Sequence, residues 1–371
     1  MKLTVGIPKE IKIREKRVPL TPDGVRRLVS QKIDVVIEKG AGLGSGFEDS
    51  LYQEAGARIA GNIEEVYSSA ALIQKVKEPQ IVEFDLIKPR HILFCFLHLA
   101  SPENAAVLQA LLKSQCTAIG YETIAKEGIL PILGPMSKIA GGLSALYAAI
   151  LETYRKNFKF ACDHSLDLLK YLESVASQYP NLPGNLLVGR VVIYGGGVAG
   201  RAALEICRQL KGRVTMVDAN PKVLEFFEAN SIEGYSPEEL PIKILEDADI
   251  LIGAAHSRGK RAIQVMSEAL IDKISDLRKK IMMDIAIDQG GNFPEAHATT
   301  YQAPVYLDSW GNLRFEVANI PSLAGKVASM ALTDATLAYT TAMALDFKSA
   351  LEKFPELKSG MNIESGQLKL Q

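Results

Sequence analysis

The chain has 371 residues, 47% of them apolar and 23% charged, and its formal net charge is −1. That length accommodates two domains of ordinary size, while the near-neutral balance gives no electrostatic drive toward nucleic acid or an anionic membrane surface, so neither partner is expected. No apolar run reaches transmembrane length, and the one at residues 1–8 is too short for a signal peptide.

The four cysteines (Cys95, Cys116, Cys162, Cys207) lack metal-like spacing and sit in mostly apolar stretches, and the five histidines form no HxxxH or HxH pair. This reads as buried reduced thiols in a cytoplasmic protein, with no metal site expected.

In chain order, a strand is predicted over 3–7. Thr21 caps a helix that starts at Pro22 and runs through Val25, Leu28 and Val29, proline being favoured at the first helical position. A strand follows over 35–38, a helix over 49–57, and strands over 71–76 and 92–99. Ser101 and Pro102 open a helix through Leu112, and a strand resumes over 117–120. Such alternation implies a parallel sheet. No glycine fingerprint follows any of these strands, so this half is a doubly wound domain that need not hold a nucleotide. Residues 139–154, apolar and alanine-rich, read as a long helix passing into a second domain. Residues 163–176 form another helix and 179–185 a proline-containing loop.

The most informative stretch comes next. An apolar run over 191–194 meets Gly195, Gly196, Gly197, Val198, Ala199 and Gly200. A helical pattern (Ala202, Ala203, Leu204, Ile206, Leu210) leads to a second apolar run over 214–217 that ends at Asp218. In this strand–turn–helix–strand–acid order, Gly195 makes the tight turn, Gly197 admits a pyrophosphate to the backbone and Gly200 lets helix and strand pack closely. Asp218 accepts from the ribose hydroxyls of NAD and repels the 2′-phosphate of NADP. The competing reading is a glycine-rich turn that binds nothing; the complete βαβ unit with its terminal acid favours NAD as cofactor. Strands over 249–254, 281–287 and 305–308 continue the second sheet. An apolar helical run over 327–345 returns to the first domain, and the tail from Lys358 reads as a polar surface segment.

The expected class is therefore α/β, with two doubly wound, Rossmann-like parallel-sheet domains separated by a cleft and joined by long helices. Residues 1–134 with 325–371 form the substrate or catalytic domain, and 135–324 the NAD-binding domain. Ligands of open α/β sheets sit at the carboxyl ends of the strands, so polar residues there carry the weight. His98, at the end of the apolar run 92–97, suits a proton-transferring imidazole, although from the residues alone a satisfied core or capping histidine is the commoner case. Lys75, also at a strand end, suits a carboxylate or carbonyl partner or a solvated lysine beside Lys77. Arg17 suits bidentate carboxylate binding or a solvated charged loop. Asp284 and Asp288 bracket 285–287 before Gln289, Gly290 and Gly291, as chemistry or as turn capping. His256 precedes a basic loop that either touches the cofactor or is only surface.

Taken together these segments resemble a known family. Val5-Gly6-Ile7-Pro8-Lys9-Glu10 with Arg17-Val18-Pro19-Leu20-Thr21-Pro22 is similar to the opening of alanine dehydrogenases and of the NAD-binding subunit of proton-translocating transhydrogenase. So are Lys75-Val76-Lys77-Glu78-Pro79, Tyr121-Glu122-Thr123, Pro135-Met136-Ser137 and Ala331-Leu332-Thr333-Asp334-Ala335-Thr336. Phe96-Leu97-His98-Leu99 and Asp288-Gln289-Gly290-Gly291 resemble the dehydrogenases rather than the transhydrogenase subunit.

The resemblance implies reversible oxidative deamination of L-alanine, or a similar small amino acid, with NAD. Arg17 and Lys75 would bind substrate, His98 would be the acid and base, and Asp288 would stabilise the charged intermediate. Ser137 and the loop Gly195, Gly197, Val198, Ala199, Gly200 would contact the dinucleotide, and Asp218 its ribose. By family analogy the chain would be a homo-oligomer, a hexamer. Residues 157–185, the loop 255–261 and residues 319–325 depart from the family pattern. That keeps open an opine- or saccharopine-type dehydrogenase joining a 2-oxo acid to an amino acid, or a transhydrogenase-like NAD(H)-binding subunit.

Overall fold

A computed structural model describes residues 2–157, 165–181, 186–256 and 261–369. Two compact units divide the chain, Met1–Met136 with Ala324–Gln371, and Ser137–Leu323. The strands in chain order are β1 (Val5–Ile7), β2 (Val35–Glu38), β3 (Arg58–Ala60), β4 (Leu72–Gln74), β5 (Ile92–Cys95) and β6 (Thr117–Gly120) in the first unit. The second unit holds β7 (Arg190–Tyr194), β8 (Arg213–Val217), β9 (Gly234–Tyr235), β10 (Ile250–Gly253), β11 (Ile281–Asp284), β12 (Val305–Leu307) and β13 (Leu313–Phe315). Finally β14 (Met361–Glu364) and β15 (Gln367–Leu368) rejoin the first.

The first sheet has the order β15-β14-β6-β5-β4-β1-β2-β3 and the second β12-β13-β11-β10-β7-β8-β9. Both are parallel in their interiors. Central strands such as β1, β4 and β5 are buried along their whole length, which is why they read as short apolar runs rather than alternating ones. The helices cover the faces. In the helix Pro22–Ser30, for example, the Thr21 hydroxyl accepts the Gly24 N–H at 3.4 Å, and Gly24, Val25 and Leu28 face inward.

Some expectations need correction. The sheets are mixed at their edges: β14 runs antiparallel to β6 and β15, and β12 antiparallel to β13. The tail beyond Lys358 is not a surface segment. Met361, Asn362 and Ile363 are buried, and Ile363 packs with Leu93, Cys95 and Ala118. Its alternation was too short to stand out among polar neighbours. Two strands end earlier than their apolar runs, β5 at Cys95 and β11 at Asp284; one further donor in each, Phe96 and Ile285, still meets a backbone carbonyl, and beyond it the N–H groups of 97, 98 and 286 turn to the carboxylates of Glu122 and Asp284. The helix from Asp49 ends at Glu54, before Gly56 at φ +95°. Ser101 and Pro102 begin a 3₁₀ turn, Pro102–Asn104, ahead of the helix Ala105–Ser114. The strand β3 and the helix Ile63–Ser69 carried too little periodicity to be expected.

Asp163 lies outside the described residues, and the helix there is described as Ser165–Gln178. Cys95, Cys116 and Cys207 are buried free thiols, and Cys162 lies outside the described residues. Among the described residues no helix is long and apolar enough to cross a membrane, and no cluster of three or more metal-ligating side chains occurs.

Candidate active site

In the first unit β1, β4 and β5 are parallel neighbours, so their carboxyl ends share one edge of the sheet. His98 follows β5 with φ +47°, a left-handed conformation uncommon outside glycine. Two side chains hold it there. The Glu122 carboxylate accepts the His98 N–H at 2.6 Å and the Leu97 N–H at 3.2 Å. Asn104 Nδ2 donates to the carbonyls of Leu97 and His98, each at 3.2 Å. The half-buried imidazole lies parallel to the Phe96 ring, with centroids 5.7 Å apart. Burial, and then the charges of Lys77, Lys12 and Arg17, push its pKa down to about 3. The ring is therefore neutral near pH 7.

Arg17 is buried. Its Nε and Nη2 meet the two oxygens of the buried Glu15 side chain at 2.8 and 2.6 Å, a side-on fork, and its Nη1 lies 3.4 Å from Met136 Sδ. Such a pair fixes the guanidinium's orientation as well as compensating its charge.

The two lysines after β4 differ. Lys75 Nζ stands 3.3 Å from Glu10 Oε2 and 3.2 Å from Glu83 Oε1, and all three side chains are sealed from solvent. Tyr67 donates its hydroxyl to Glu83 at 3.0 Å. Burial alone would lower the Lys75 pKa, but Glu10 and Glu83 outweigh it and hold the ammonium charged. Burial, opposed by Lys75 and reinforced by the nearby Glu15 and Glu83, raises Glu10 to about 7. Lys77, also buried, makes no such ion pair among the described residues and is the charge acting most on His98. Beside it, Lys12 Nζ contacts Glu78 at 2.5 Å.

In the second unit the glycine turn is sterically specified. Gly195 has φ +100°, and a Cβ there would lie 2.6 Å from the Ala254 carbonyl oxygen. A Cβ on Gly200 would lie 1.8 Å from the Gly195 carbonyl oxygen, so neither position tolerates a side chain. Gly197 is the opposite case: a Cβ would meet nothing within 4 Å. It precedes the helix Val198–Gln209, whose first amides and dipole favour an anion. Asp218, just past β8, accepts the Gly196 N–H at 2.6 Å and the Asn220 N–H at 2.8 Å. The acid at the strand tip and the turn are thus one bonded unit. An open space at Gly197, backbone donors at a helix start and an adjacent carboxylate fit a dinucleotide.

Ser137 sits half-buried near the start of the helix Leu133–Asn157. Gly141 of that helix packs against Ala199, where a Cβ would come 2.0 Å from the Ala199 carbonyl oxygen. Asp284 and Asp288 have separate fates. Asp284 is buried and accepts the N–H groups of Ala286, Asn292 and Phe293, burial raising its pKa to about 7. It folds the turn and leaves Asp288 exposed on the 3₁₀ turn Ile287–Gln289, with no hydrogen-bond partner among the described residues. His256 is exposed, and residues 257–260 of its loop lie outside the described residues.

The structure thus gathers Arg17 and Lys77 as charges acting on His98 in the first unit, and the glycine turn with Asp218 in the second. Sequence reasoning missed Glu10, Glu15, Glu122 and Asn104. Glu15 lies two residues from Arg17, and Glu10 and Glu122 fall within the family-like strings, but no sequence signal assigned a role to them or to Asn104, since their partners are backbone groups and cations that only the fold brings near.

Comparison with known families agrees with this architecture. The model of the alanine dehydrogenase/PNT N-terminal domain matches residues 6–140, and that of the alanine dehydrogenase/PNT C-terminal domain matches residues 170–371. An alanine dehydrogenase of Staphylococcus saprophyticus is 37% identical over 99% of this chain and 94% of its own length. One of Halomonas elongata is 34% identical over the same shares. Among solved structures, an L-alanine dehydrogenase superposes with a TM-score of 0.84 at 32% identity, covering 99% of this chain and 96% of that one. A transhydrogenase from Sinorhizobium meliloti gives 0.75 at 21% identity, covering 99% and 98%, which is a likeness of fold. The chain belongs to the alanine dehydrogenase/PNT family.

Proposed function

We propose that the chain is an NAD-dependent oxidoreductase that interconverts L-alanine with pyruvate and ammonia. The observation that carries this reading is an imidazole, His98, kept neutral by burial and then by the charges of Lys77, Lys12 and Arg17, in a chain whose full-length relatives are alanine dehydrogenases. The first unit takes the substrate and the second takes NAD.

Arg17, oriented by Glu15, binds the substrate carboxylate. The sequence pointed to Lys75 as its companion. Lys75, however, is already satisfied by two buried carboxylates, and drawing it toward a substrate would leave those charges uncompensated at a cost of several kcal/mol. Lys77 takes that role, and Lys75 supports the scaffold. A bound carboxylate offsets the cations, which after burial are the lesser cause of the low His98 pKa, and so moves that pKa upward.

NAD, when bound, supplies the acceptor for the Cα hydride. In the direction of deamination His98 then takes a proton from the water that attacks the imine carbon, and returns it to the departing amine. Asp288, exposed on its 3₁₀ turn, stabilises the cationic imine. The turn from Gly195 through Gly197, Val198, Ala199 and Gly200 cradles the pyrophosphate. Asp218 accepts the ribose hydroxyls with the lone pairs its two backbone bonds leave over, and Ser137 contacts the dinucleotide. Buried thiols at Cys95, Cys116 and Cys207 suit a reducing cytoplasm, and we read the protein as a cytoplasmic homo-oligomer by family analogy.

The test is NADH absorbance with pyruvate and a panel of amine donors. Oxidation with ammonium alone is the expected result. Turnover only when an amino acid replaces ammonium would overturn this reading in favour of an opine-type condensation.

A further inference from the structure

We propose that Glu10 is a positioning residue for the substrate lysine, fixing the segment 75–77 against the segment that carries His98. The inference rests on the reading of Lys77 as the substrate lysine. β1 neighbours β4 on the side away from β5, and the pairing of β1 with β4 ends at Gly6 and Ile73. Past that point β1 leaves Pro8 and a turning chain, and the sheet edge would lose its hydrogen-bond partner. Glu10 supplies it. Its Oε1 accepts the Val76 N–H at 2.6 Å and the Lys77 N–H at 3.4 Å, while Oε2 holds Lys75 Nζ.

On the opposite side the segment is bonded to the continuation of β5: Lys75 N–H donates to the Phe94 carbonyl at 3.1 Å and Phe96 N–H to the Val76 carbonyl at 3.0 Å. One carboxylate therefore holds three successive residues, 75, 76 and 77, from the β1 side, while the backbone of 75 and 76 bonds the chain that reaches His98 two residues after Phe96. The side chain is fully enclosed, so water cannot replace it at the two amides. Lys75, itself held by Glu83, keeps Oε2 of the carboxylate in place. This buried pair thus supports the geometry of the site without touching substrate.

The crossed test compares Glu10→Gln with Glu10→Met in steady-state kinetics. Both remove the charge facing Lys75, but only glutamine keeps an oxygen for the two amides. Glu10→Gln is expected to leave the KM for alanine within about three-fold of the parent. Glu10→Met is expected to raise it about ten-fold, the scale of a mispositioned charged hydrogen bond, with the dissociation constant for NADH unchanged in both. The acidic limb of the kcat/KM profile should also move upward in Glu10→Met alone, because a displaced Lys77 no longer depresses His98; Lys12 and Arg17 remain to do so. Equal KM values in the two variants would overturn the inference.

Glu10→Asp, which keeps the charge but withdraws the oxygens by one methylene, gives the same decision where Glu10→Met does not fold: a KM no higher than that of Glu10→Gln contradicts the positioning role. Lys77→Met separates the two layers. An unchanged KM for alanine there removes the underlying reading. A raised KM there, with Glu10→Met equal to Glu10→Gln, removes only the role of Glu10.

Discussion

The two units hold their candidate groups by different physics. In the first, the groups are held by side-chain carboxylates: Arg17 is set by Glu15, Lys75 by Glu10 and Glu83, and the backbone of His98 by Glu122. In the second, the site is mostly backbone: a glycine turn, a helix start and a single acid, Asp218, bonded to the turn. The contrast follows from the ligands. A small carboxylate offers few atoms, so point charges in fixed orientation must recognise it. A pyrophosphate is large and can be cradled by amides, provided the chain comes close, which only glycine permits.

If this division holds, substitutions in the first unit should act on chemistry and substrate affinity, and those in the second on coenzyme affinity and stability. The largest effect is expected for His98→Ala: kcat falls on the order of 10³-fold, within the range of lost general acid–base catalysis. NADH binding followed by fluorescence titration stays at the parent value. A small loss of turnover would take His98 out of the mechanism.

Next come the two lysines. Lys77→Met should raise the KM for alanine about ten-fold or more, as loss of a charged hydrogen bond does. Lys75→Met should lower thermal stability instead, by about 3 kcal/mol, because it strands Glu10 and Glu83 without their cation. Kinetics and thermal denaturation on both variants check this, and exchanged phenotypes would invert the assignment.

Within the glycine turn the contrast is sterically sharp. Gly200→Ala drives a methyl into the Gly195 carbonyl and should cost about 2 kcal/mol or more of stability. Gly197→Ala should fold normally and weaken NAD about ten-fold, roughly 1.4 kcal/mol, because its methyl fills space reserved for the ligand. Asp218→Ala should lower NAD affinity and reduce discrimination against NADP, read as the ratio of the two dissociation constants.

The smallest effect is a pH dependence. Glu10 titrates near 7 in the folded chain against a usual 4.5, so between these values the native state holds the extra proton. Its contribution to stability is complete below about pH 4.5 and disappears as pH rises through about 7. The melting temperature of Glu10→Gln relative to the parent should therefore improve from pH 5 to pH 8. A constant difference would contradict the shift.

The same division explains what was legible in the sequence. Gly195 and Gly200 of the turn could be read because their steric demands map onto one residue type, whereas Gly197 carries no such demand in the fold itself, and the position of Asp218 could be read because a strand tip lies at a fixed distance from that turn. The alternation of strands and helices likewise gave the class of both sheets. Lys75 and Lys77 could not be told apart, since each follows a buried strand. What separates them is the position of Glu10 and Glu83 in the folded sheet, both distant enough in sequence that no spacing rule connects them. Asp284 and Asp288 were ambiguous for a related reason: the buried one is defined by backbone donors at 286, 292 and 293. The buried C-terminal strand was missed because its apolar content is two residues, Met361 and Ile363, and its partner β6 lies at the other end of the chain.

A crystal structure with NADH and pyruvate bound decides whether the first unit grips the substrate carboxylate and presents its oxo group to a neutral imidazole. The carboxylate is expected at hydrogen-bond distance, about 3 Å, from Arg17 and Lys77, with the keto oxygen equally close to a ring nitrogen of His98 and Lys75 still between Glu10 and Glu83. Pyruvate bound through Lys75, or held away from His98, would contradict it.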